Sequence, residues 1–265
     1  MANAVKTKEN GKVAVLDINM FEQDAGAGLS NLGTEDMALP FLKVLSRQDP
    51  ILDELDNAKA GDFLNTVTNQ VYKGKEGVNV IPCSYQRVFI QWLPRGQGTG
   101  APVAIFSPTD ENLPHTERSS EDNKEYVVDG GGSYLEQTCQ WYIKLVEKDG
   151  TVSNALLALK STQLKKSRKW MSMIMSRQMT GKNGSFTPPM YSHIYTLKTL
   201  AEENSKGSWH GVEMALNKQV SDVQQYTSAK TFAESVEKGD VNVKHTQDNL
   251  KNNDNKEIFH DIRWA

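Results

Sequence analysis

The sequence predicts a mainly β protein with helices, and the order of its elements predicts the fold class. Five segments have the composition and alternation of β-strands: Val78–Trp92, Tyr134–Val146, Val152–Leu159, Met190–Leu200 and Ser208–Leu216. One amphipathic helix lies between the third and fourth segments, and a C-terminal helix follows the fifth. Strand, strand, strand, helix, strand, strand is the connectivity of an OB-fold, a five-stranded barrel that binds oligonucleotides across one face.

The chain before the barrel divides into an arm and a small hairpin. Residues 1–38 are predicted to form a flexible arm, because Glu22–Asp36 mixes acidic residues with three glycines and shows no periodicity. Order is expected to begin near Leu39, so the ordered domain is predicted to span residues 39–240. Within it, Gly61–Val67 and Val71-Tyr72 are predicted to pair as a hairpin.

Pro82 interrupts the first strand and indicates a bulge or an edge position. The connections between the barrel strands are of three kinds. The glycine-rich segment Pro94–Pro102 leads into extended chain rather than a helix, so it is predicted to line the mouth of a groove, with Arg95 touching nucleic-acid backbone, and not to be a phosphate loop. Residues 107–132 predict a long acidic excursion, and Lys148-Asp149-Gly150 predicts a tight turn.

Both helices have start and stop signals. The first is predicted over Thr162–Met179, with Ser161 or Thr162 able to cap its start, and Gly181–Gly184 ends it. The second is predicted over Ser221–Glu237, with Gly239 just past its end. Residues 241–265 are predicted to form a flexible tail whose last nine residues again carry apolar side chains.

The formal net charge of −3 conceals a cationic segment. Between Thr151 and Ala201 the chain contains eight Lys and Arg residues and no Asp or Glu. Subtracting this +8 from −3 leaves −11 for the other 214 residues. Because nucleic-acid binding depends on where charge lies, the acidic average does not exclude a nucleic-acid partner.

Several other classes are excluded or disfavoured. No segment approaches the ~18–20 apolar residues of a membrane span, and Lys6, Lys8 and Glu9 stand where a signal peptide would be apolar. We therefore expect no membrane partner. Cys83 and Cys139 are expected to be buried thiols.

Catalytic patterns are missing from the sequence. Its five His residues are scattered without paired metal-ligand spacing, and no serine lies in a nucleophile elbow. The sequence therefore predicts a protein that is not an enzyme and has no cofactor and no metal site. A nuclease with an unrecognised metal site is the alternative.

Three strands carry aromatic and polar side chains suited to stacked bases. On the first strand these are Tyr85, Arg87, Phe89 and Gln91, on the second Tyr142 and Lys144, and on the fourth Tyr191, His193 and Tyr195. If these faces share one side of the barrel, they form an aromatic and basic trough. The alternatives are that Tyr85 and Phe89 pack under the acidic excursion and that Tyr191 and Tyr195 belong to the core.

A basic cluster at the start of the first helix is the strongest signal for a polyanion. Its residues, with the preceding Lys160, are Lys165, Lys166, Arg168, Lys169 and the adjoining Trp170. Positive charge there opposes the helix dipole, and no acidic residue lies within reach along the helix. Trp170 is expected either to stack on a base or to anchor the helix to the barrel.

Five motifs resemble those of single-stranded-DNA-binding proteins of tailed, podovirus-type bacteriophages. They are Gly61-Asp62-x-x-Asn65-Thr66-Val67-Thr68, Val80-Ile81-Pro82-Cys83-x-Tyr85-Gln86-Arg87-x-Phe89-Ile90-x-Trp92, Pro94-Arg95-Gly96-x-Gly98-x-Gly100-Ala101-Pro102, Lys160-Ser161-Thr162-Gln163-Leu164-Lys165-Lys166-Ser167 and Phe186-Thr187-Pro188-Pro189-x-Tyr191-Ser192-His193. The resemblance covers Gly61 to Val236. It implies an OB-fold, sequence-independent binding of single-stranded DNA in phage replication and recombination, and a location in the cytoplasm of the infected bacterial cell.

The same resemblance implies a partner-binding tail. Such tails recruit phage replication and recombination proteins, and in some phages they contact the host RNA polymerase. Here the tail is not strongly acidic, and the residues expected to bind partners are Ile258, Phe259, Ile262 and Trp264. Two other functions are alternatives: a virion structural or interaction protein that contacts DNA or another subunit, and a single-strand annealing recombination protein.

Overall fold

The computed structural model describes residues 18–33, 36–205 and 207–245. The chain divides into two units, Met1–Met37 and Ala38–Ala265. In the described part of the first unit, the six-residue helix α1 (Ile18–Gln23) is followed by turns, and Met20 and Phe21 are exposed. The remaining elements belong to the second unit.

The second unit is mainly β with a few helices, as predicted. Its helices are α2 (Ile51–Glu54), α3 (Leu164–Met175) and α4 (Val223–Lys238). Its strands are β1 (Leu42–Val44), β2 (Phe63–Asn65), β3 (Val71–Tyr72), β4 (Val78–Trp92), β5 (Ala104–Phe106), β6 (Thr116–Arg118), β7 (Glu125–Val127), β8 (Tyr134–Val146), β9 (Val152–Lys160), β10 (Met179–Gly181), β11 (Gly184–Phe186), β12 (His193–Asn204) and β13 (Gly207–Gln219). None of the helices described is long and apolar enough to cross a membrane.

The long antiparallel pair β4–β8 is the centre of the main sheet. On one side β4 pairs with β12, which pairs with β13, and on the other side β8 pairs with β9. The register of β4 against β8 shifts between Pro82 and Ser84, which confirms the bulge that Pro82 indicated. Short strands β5, β6 and β7 extend the far end of this pair.

The main sheet is open, and its strands do not close into the five-stranded barrel that the sequence predicted. Closure would join β9 to β13, and no such pairing occurs among the described strands. Instead, the backbone N–H of Leu156 on β9 donates to the Pro40 carbonyl at 2.8 Å, and Phe41 forms a parallel bridge with Leu156. On β13, the Val212 N–H donates to Gln163 Oε1 at 2.9 Å. At these positions the backbone N–H groups of β9 and β13 are therefore hydrogen-bonded to partners other than each other.

The predicted hairpin over residues 61–72 is present as β2 and β3, and β1 completes a three-stranded sheet. Buried Asp62 accepts a hydrogen bond from the Gly74 N–H at 3.0 Å and pairs with Lys73 at 3.0 Å. Thr199 Oγ1 on β12 donates to the Gly61 carbonyl at 2.5 Å. The Gly61-Asp62 motif is thus a structural link between the small sheet and the main sheet.

The two faces of the main sheet carry separate apolar cores. On the first face, Trp141, Tyr195 and their neighbours pack against α3. On the second face, Tyr142, Ile194 and their neighbours pack against α4. Adjacent residues of β8 point to opposite faces, so Trp141 and Tyr142 belong to different cores.

The chain after α3 differs from the prediction. The helix ends at Met175, four residues before the predicted Met179, and β10 and β11 form a hairpin that the sequence did not indicate. No side chain caps the start of α3, so Ser161 and Thr162 do not have the expected capping role. The next strand begins at His193, after a short 3-10 turn over Met190–Ser192.

Candidate nucleic-acid interface

The inner face of α3 fixes the helix to the sheet. Trp170 is 0% exposed, and its ring stacks on that of Trp141 with 4.2 Å between centroids. Tyr195 meets the Trp170 ring edge-on at 5.7 Å, and Trp141 Nε1 donates to Ser167 Oγ at 2.8 Å. Trp170 was expected either to stack on a base or to anchor the helix, and its buried position is that of an anchor. Tyr195 likewise belongs to the core, at 1% exposure.

The outer face of α3 carries three exposed cations, Lys165, Arg168 and Lys169. Helical geometry places these positions on the side opposite the buried stripe that contains Ser167 and Trp170. In the part of the chain that the structure describes, no carboxylate forms an ion pair with any of the three. We call Lys165, Arg168 and Lys169 the α3 basic face.

The two other lysines of the predicted cluster are paired with acids. Lys160 pairs with Glu136 at 2.9 Å, and Lys166 pairs with Glu202. Trp209 Nε1 also donates to Glu202, at 2.8 Å. Burial opposes the ionisation of Glu202, but the hydrogen bonds from Lys166 and Trp209 outweigh it and hold the Glu202 pKa below its usual value.

On β4, Tyr85 lies at the edge of the α3 core. Its ring centroid is 4.9 Å from that of Trp141, and its hydroxyl lies 3.2 Å from Cys139 Sγ. Burial, helped by the contact with Cys139, raises the pKa of Tyr85 to about 12. The charge of exposed Arg87 and a hydrogen bond with Ser167 of α3 act in the opposite direction and limit this rise of the Tyr85 pKa.

The rest of the β4 set lies farther along the strand. Phe89 is half-buried opposite Phe106 of β5, and Gln91 Nε2 donates to Ser133 Oγ at 2.9 Å. Arg95 lies in the exposed loop between β4 and β5. Burial raises the pKa of Tyr134, and the positive charge of Arg95 opposes this rise. The chain continues from this loop into strand β5, as the sequence predicted.

Tyr142 and Lys144 lie on the opposite face of the sheet from Tyr85, because Tyr85 is paired directly across from Trp141. Both are buried under α4: the Tyr142 ring is 6.3 Å from that of Phe232, and Lys144 Nζ is 5.3 Å from the same ring. Burial lowers the pKa of Lys144. Tyr191 contacts Tyr226 of α4 at 5.2 Å. These side chains therefore do not share one side of the described sheet, which was the condition for a single trough.

Titratable and metal-ligating groups are dispersed. Cys83 and Cys139 are free and buried, as expected, and burial raises the pKa of Cys83 to about 12. Burial, together with the charge of Arg177, lowers the pKa of His193. No group of three or more His, Cys, Asp and Glu side chains in the described ranges could hold a metal ion.

The expected partner-binding residues Ile258, Phe259, Ile262 and Trp264 lie outside the described residues. The described beginning of the tail packs against the second core. His245 is buried beside Gln140, with 2.8 Å between the two Nε2 atoms, and its ring meets that of Phe41 at 5.7 Å. Burial lowers the pKa of His245 to about 4.

The Pam3 phage gp34-like protein family model matches residues 8–242. The chain belongs to this family. It is therefore a phage protein, as the motifs indicated, and the match includes the whole of the domain from β1 to α4. No curated protein and no solved structure matches the chain significantly. The family description names a phage and no activity.

Proposed function

We propose that this Pam3 phage gp34-like protein binds single-stranded DNA without sequence preference, in phage replication and recombination. The observation that carries the proposal is the α3 basic face. Three exposed cations that form no ion pair with a described carboxylate lie on a helix whose inner face is fixed by Trp170. Such a face binds the phosphate backbone through charge, which does not depend on base sequence.

The position of these charges argues against a role in folding. The positive end of a helix dipole acts over the first turn, so the cation of Lys165 in the first turn of α3 is unfavourable by about 0.3–1 kcal/mol at low salt. Bound phosphates would turn this repulsion into attraction, because the helix terminus and the side chains would then face the same anion. Exposed Arg87 lies two residues from Tyr85 on the same face of β4, so it adds a positive charge to the sheet face on which α3 packs.

Strand order supports an OB-type fold as part of the proposal. The order β13-β12-β4-β8-β9, with α3 between β9 and β12, is the order that OB connectivity gives. OB barrels are partly open, and the two strands that do not pair with each other in the described structure are β9 and β13, the third and fifth strands of the scheme.

The test is ssDNA binding by a Lys165→Ala, Arg168→Ala, Lys169→Ala variant, measured with a labelled oligothymidine over a range of salt concentrations. Each lost phosphate contact lowers the slope of log affinity against log salt by roughly 0.7, so we expect a total loss of about 2 and roughly 10- to 100-fold weaker binding at 0.1 M salt.

The matched control removes three exposed lysines elsewhere, with Lys59→Ala, Lys75→Ala and Lys148→Ala. Its net charge equals that of the test variant, so a general effect of charge would weaken both equally. Equal affinity of test and control variants would refute the assignment to α3. Absence of binding to single and double strands would favour a virion structural protein, and faster annealing of complementary strands would favour an annealing protein.

We also propose that the tail recruits phage replication and recombination proteins, with host RNA polymerase as a further candidate partner. Deletion of residues 257–265 leaves the packed segment up to His245 intact. DNA affinity should stay within about twofold of wild type while capture of these partners from infected-cell extract is lost. A large loss of DNA affinity would contradict this separation of roles.

A further inference from the structure

The β10–β11 hairpin stands apart from the sheets of the domain. It pairs only within itself among the described strands, with Met179 opposite Phe186 and Gly181 opposite Gly184. Lys182 and Asn183 form its tip. The hairpin follows directly from α3, whose last residue is Met175.

Side-chain hydrogen bonds hold the base of this hairpin. Gln178 Nε2 donates to Thr187 Oγ1 at 2.9 Å, and Ser185 Oγ donates to Gln178 Oε1 at 3.2 Å. An isolated two-stranded hairpin is marginally stable in water, so these bonds across its base help to fix its position.

Phe186 is a large apolar side chain that the fold leaves 46% exposed. Its ring lies over Gly181, where a Cβ would come within 3.2 Å of the ring edge. An aromatic ring placed diagonally over a glycine supports a strand pair, which explains one side of the ring. It does not explain why the rest of the ring faces solvent.

Apart from Met179, its partner across the hairpin, Phe186 has polar and cationic neighbours on the hairpin. Lys182, Asn183 and Ser185 are all exposed, and the acid-free segment from Thr151 to Ala201 includes the entire hairpin. A protein partner would require a larger apolar patch. A single aromatic ring beside a lysine suits a nucleobase and its phosphate, because stacking uses the ring and the lysine neutralises the backbone.

We propose that the β10–β11 hairpin is a second contact for single-stranded nucleic acid, in which Phe186 stacks on a base and Lys182 binds a neighbouring phosphate. This inference rests on the proposed function, and it adds a stacking site that the strand faces do not supply. Lys169 is six residues before the last residue of α3, which is about 9 Å along the helix axis, and three residues separate that end from the hairpin. A DNA strand bound along the outer face of α3 toward its C-terminus would therefore reach the hairpin.

The test compares Phe186→Ala, Phe186→Leu and Phe186→Trp in oligothymidine binding by the full chain. Loss of one stacked base weakens binding roughly 5- to 150-fold, which corresponds to about 1–3 kcal/mol. We expect this loss for Phe186→Ala and most of it for Phe186→Leu, while Phe186→Trp should retain wild-type affinity. Lys182→Ala should lower the salt slope by about 0.7, and the Phe186 variants should leave it unchanged.

The control is Phe21→Ala, which removes an exposed phenylalanine (58%) from the N-terminal unit. Thermal melting of each variant separates misfolding from lost contact. Photocrosslinking of a 5-iodouracil oligonucleotide should label the tryptic peptide that follows Lys182, at Phe186. Wild-type DNA affinity of Phe186→Ala or of Phe186→Leu would overturn the stacking role. The same conclusion would follow if Phe186→Ala kept its DNA affinity and lost the capture of a phage protein.

Failure of this inference is distinguishable from failure of the proposed function. If the α3 variant loses ssDNA binding and the Phe186 variants do not, only the hairpin assignment fails. If the wild-type chain does not bind ssDNA, both fail.

Discussion

Helices α3 and α4 pack on opposite faces of one sheet, yet their ends and outer surfaces follow different rules. Asp222 caps α4 by accepting a hydrogen bond from the Gln225 N–H at 2.8 Å, Lys238 lies in its last turn, and Gly239 ends it in the left-handed conformation. On its surface Lys230 and Glu234 pair at 3.8 Å. Each of these features favours the helix itself.

Helix α3 lacks these features. It has no side-chain cap and no basic residue in its last turn, and Lys165 lies in its first turn, where the dipole disfavours a cation. Its stability must therefore come from the buried stripe around Trp170 rather than from its ends. The difference indicates that α4 is a structural cover and that the outer face of α3 is shaped by something other than folding.

The largest expected effect tests how α3 is held. Trp170→Ala removes the stacking on Trp141 and leaves a cavity under the helix, so we expect a loss of about 3–5 kcal/mol in the free energy of unfolding, measured in urea. Trp209→Ala, at a half-exposed site, serves as the control and should cost less. A loss below about 1 kcal/mol would show that α3 does not depend on its inner face.

A smaller effect concerns the α4 side, where His245 is buried. Its pKa of about 4 in the folded protein lies below the usual 6.5, so the unfolded chain binds more protons between these values. Stability is therefore fully present above pH 6.5 and decreases as the pH falls toward 4, by up to about 3 kcal/mol. Unfolding measured from pH 7 to 4.5 should show this decrease, and His245→Gln should have a shallower profile. An unchanged profile would contradict a buried neutral His245.

The smallest effect has opposite signs for folding and for binding. Lys165→Glu places an acid in the first turn of α3 and should raise the free energy of unfolding by about 0.3–1 kcal/mol while weakening ssDNA binding. Asp222→Ala, at the start of α4, should cost about 1 kcal/mol and leave binding unchanged. Destabilisation by Lys165→Glu would mean that the lysine serves the fold, and the contrast between the helices would disappear.

Local pattern was sufficient for the two central strands. The bounds of β4 and β8 agree with the predicted Val78–Trp92 and Tyr134–Val146, because alternation and flanking turn residues define a strand within a few residues. The C-terminal limit of α3 was harder, since Met179 continues the apolar stripe of the helix. The turn residues Lys182 and Asn183 in fact join two short strands.

The candidate site depended on information that alternation does not contain. A strand pattern separates two faces but does not say which face another element covers, so Tyr142 and Lys144 could not be assigned to the space under α4. Lys166 looked unpaired because Glu202 is 36 residues away in sequence. The exposed cations Lys165, Arg168 and Lys169 were found because charge composition needs no tertiary contact to be visible.

The stacked indoles of Trp141 and Trp170 are an internal spectroscopic probe of the position of α3. With 4.2 Å between centroids, their transitions couple, and the near-ultraviolet circular dichroism of the pair depends on the angle and distance between the rings. Trp170 is part of α3, which carries the α3 basic face. Any tilt of α3 when an oligonucleotide binds would therefore alter this circular dichroism signal. A constant spectrum at saturating oligonucleotide would show that the helix is rigid before binding. Little conformational entropy would then be lost when the complex forms.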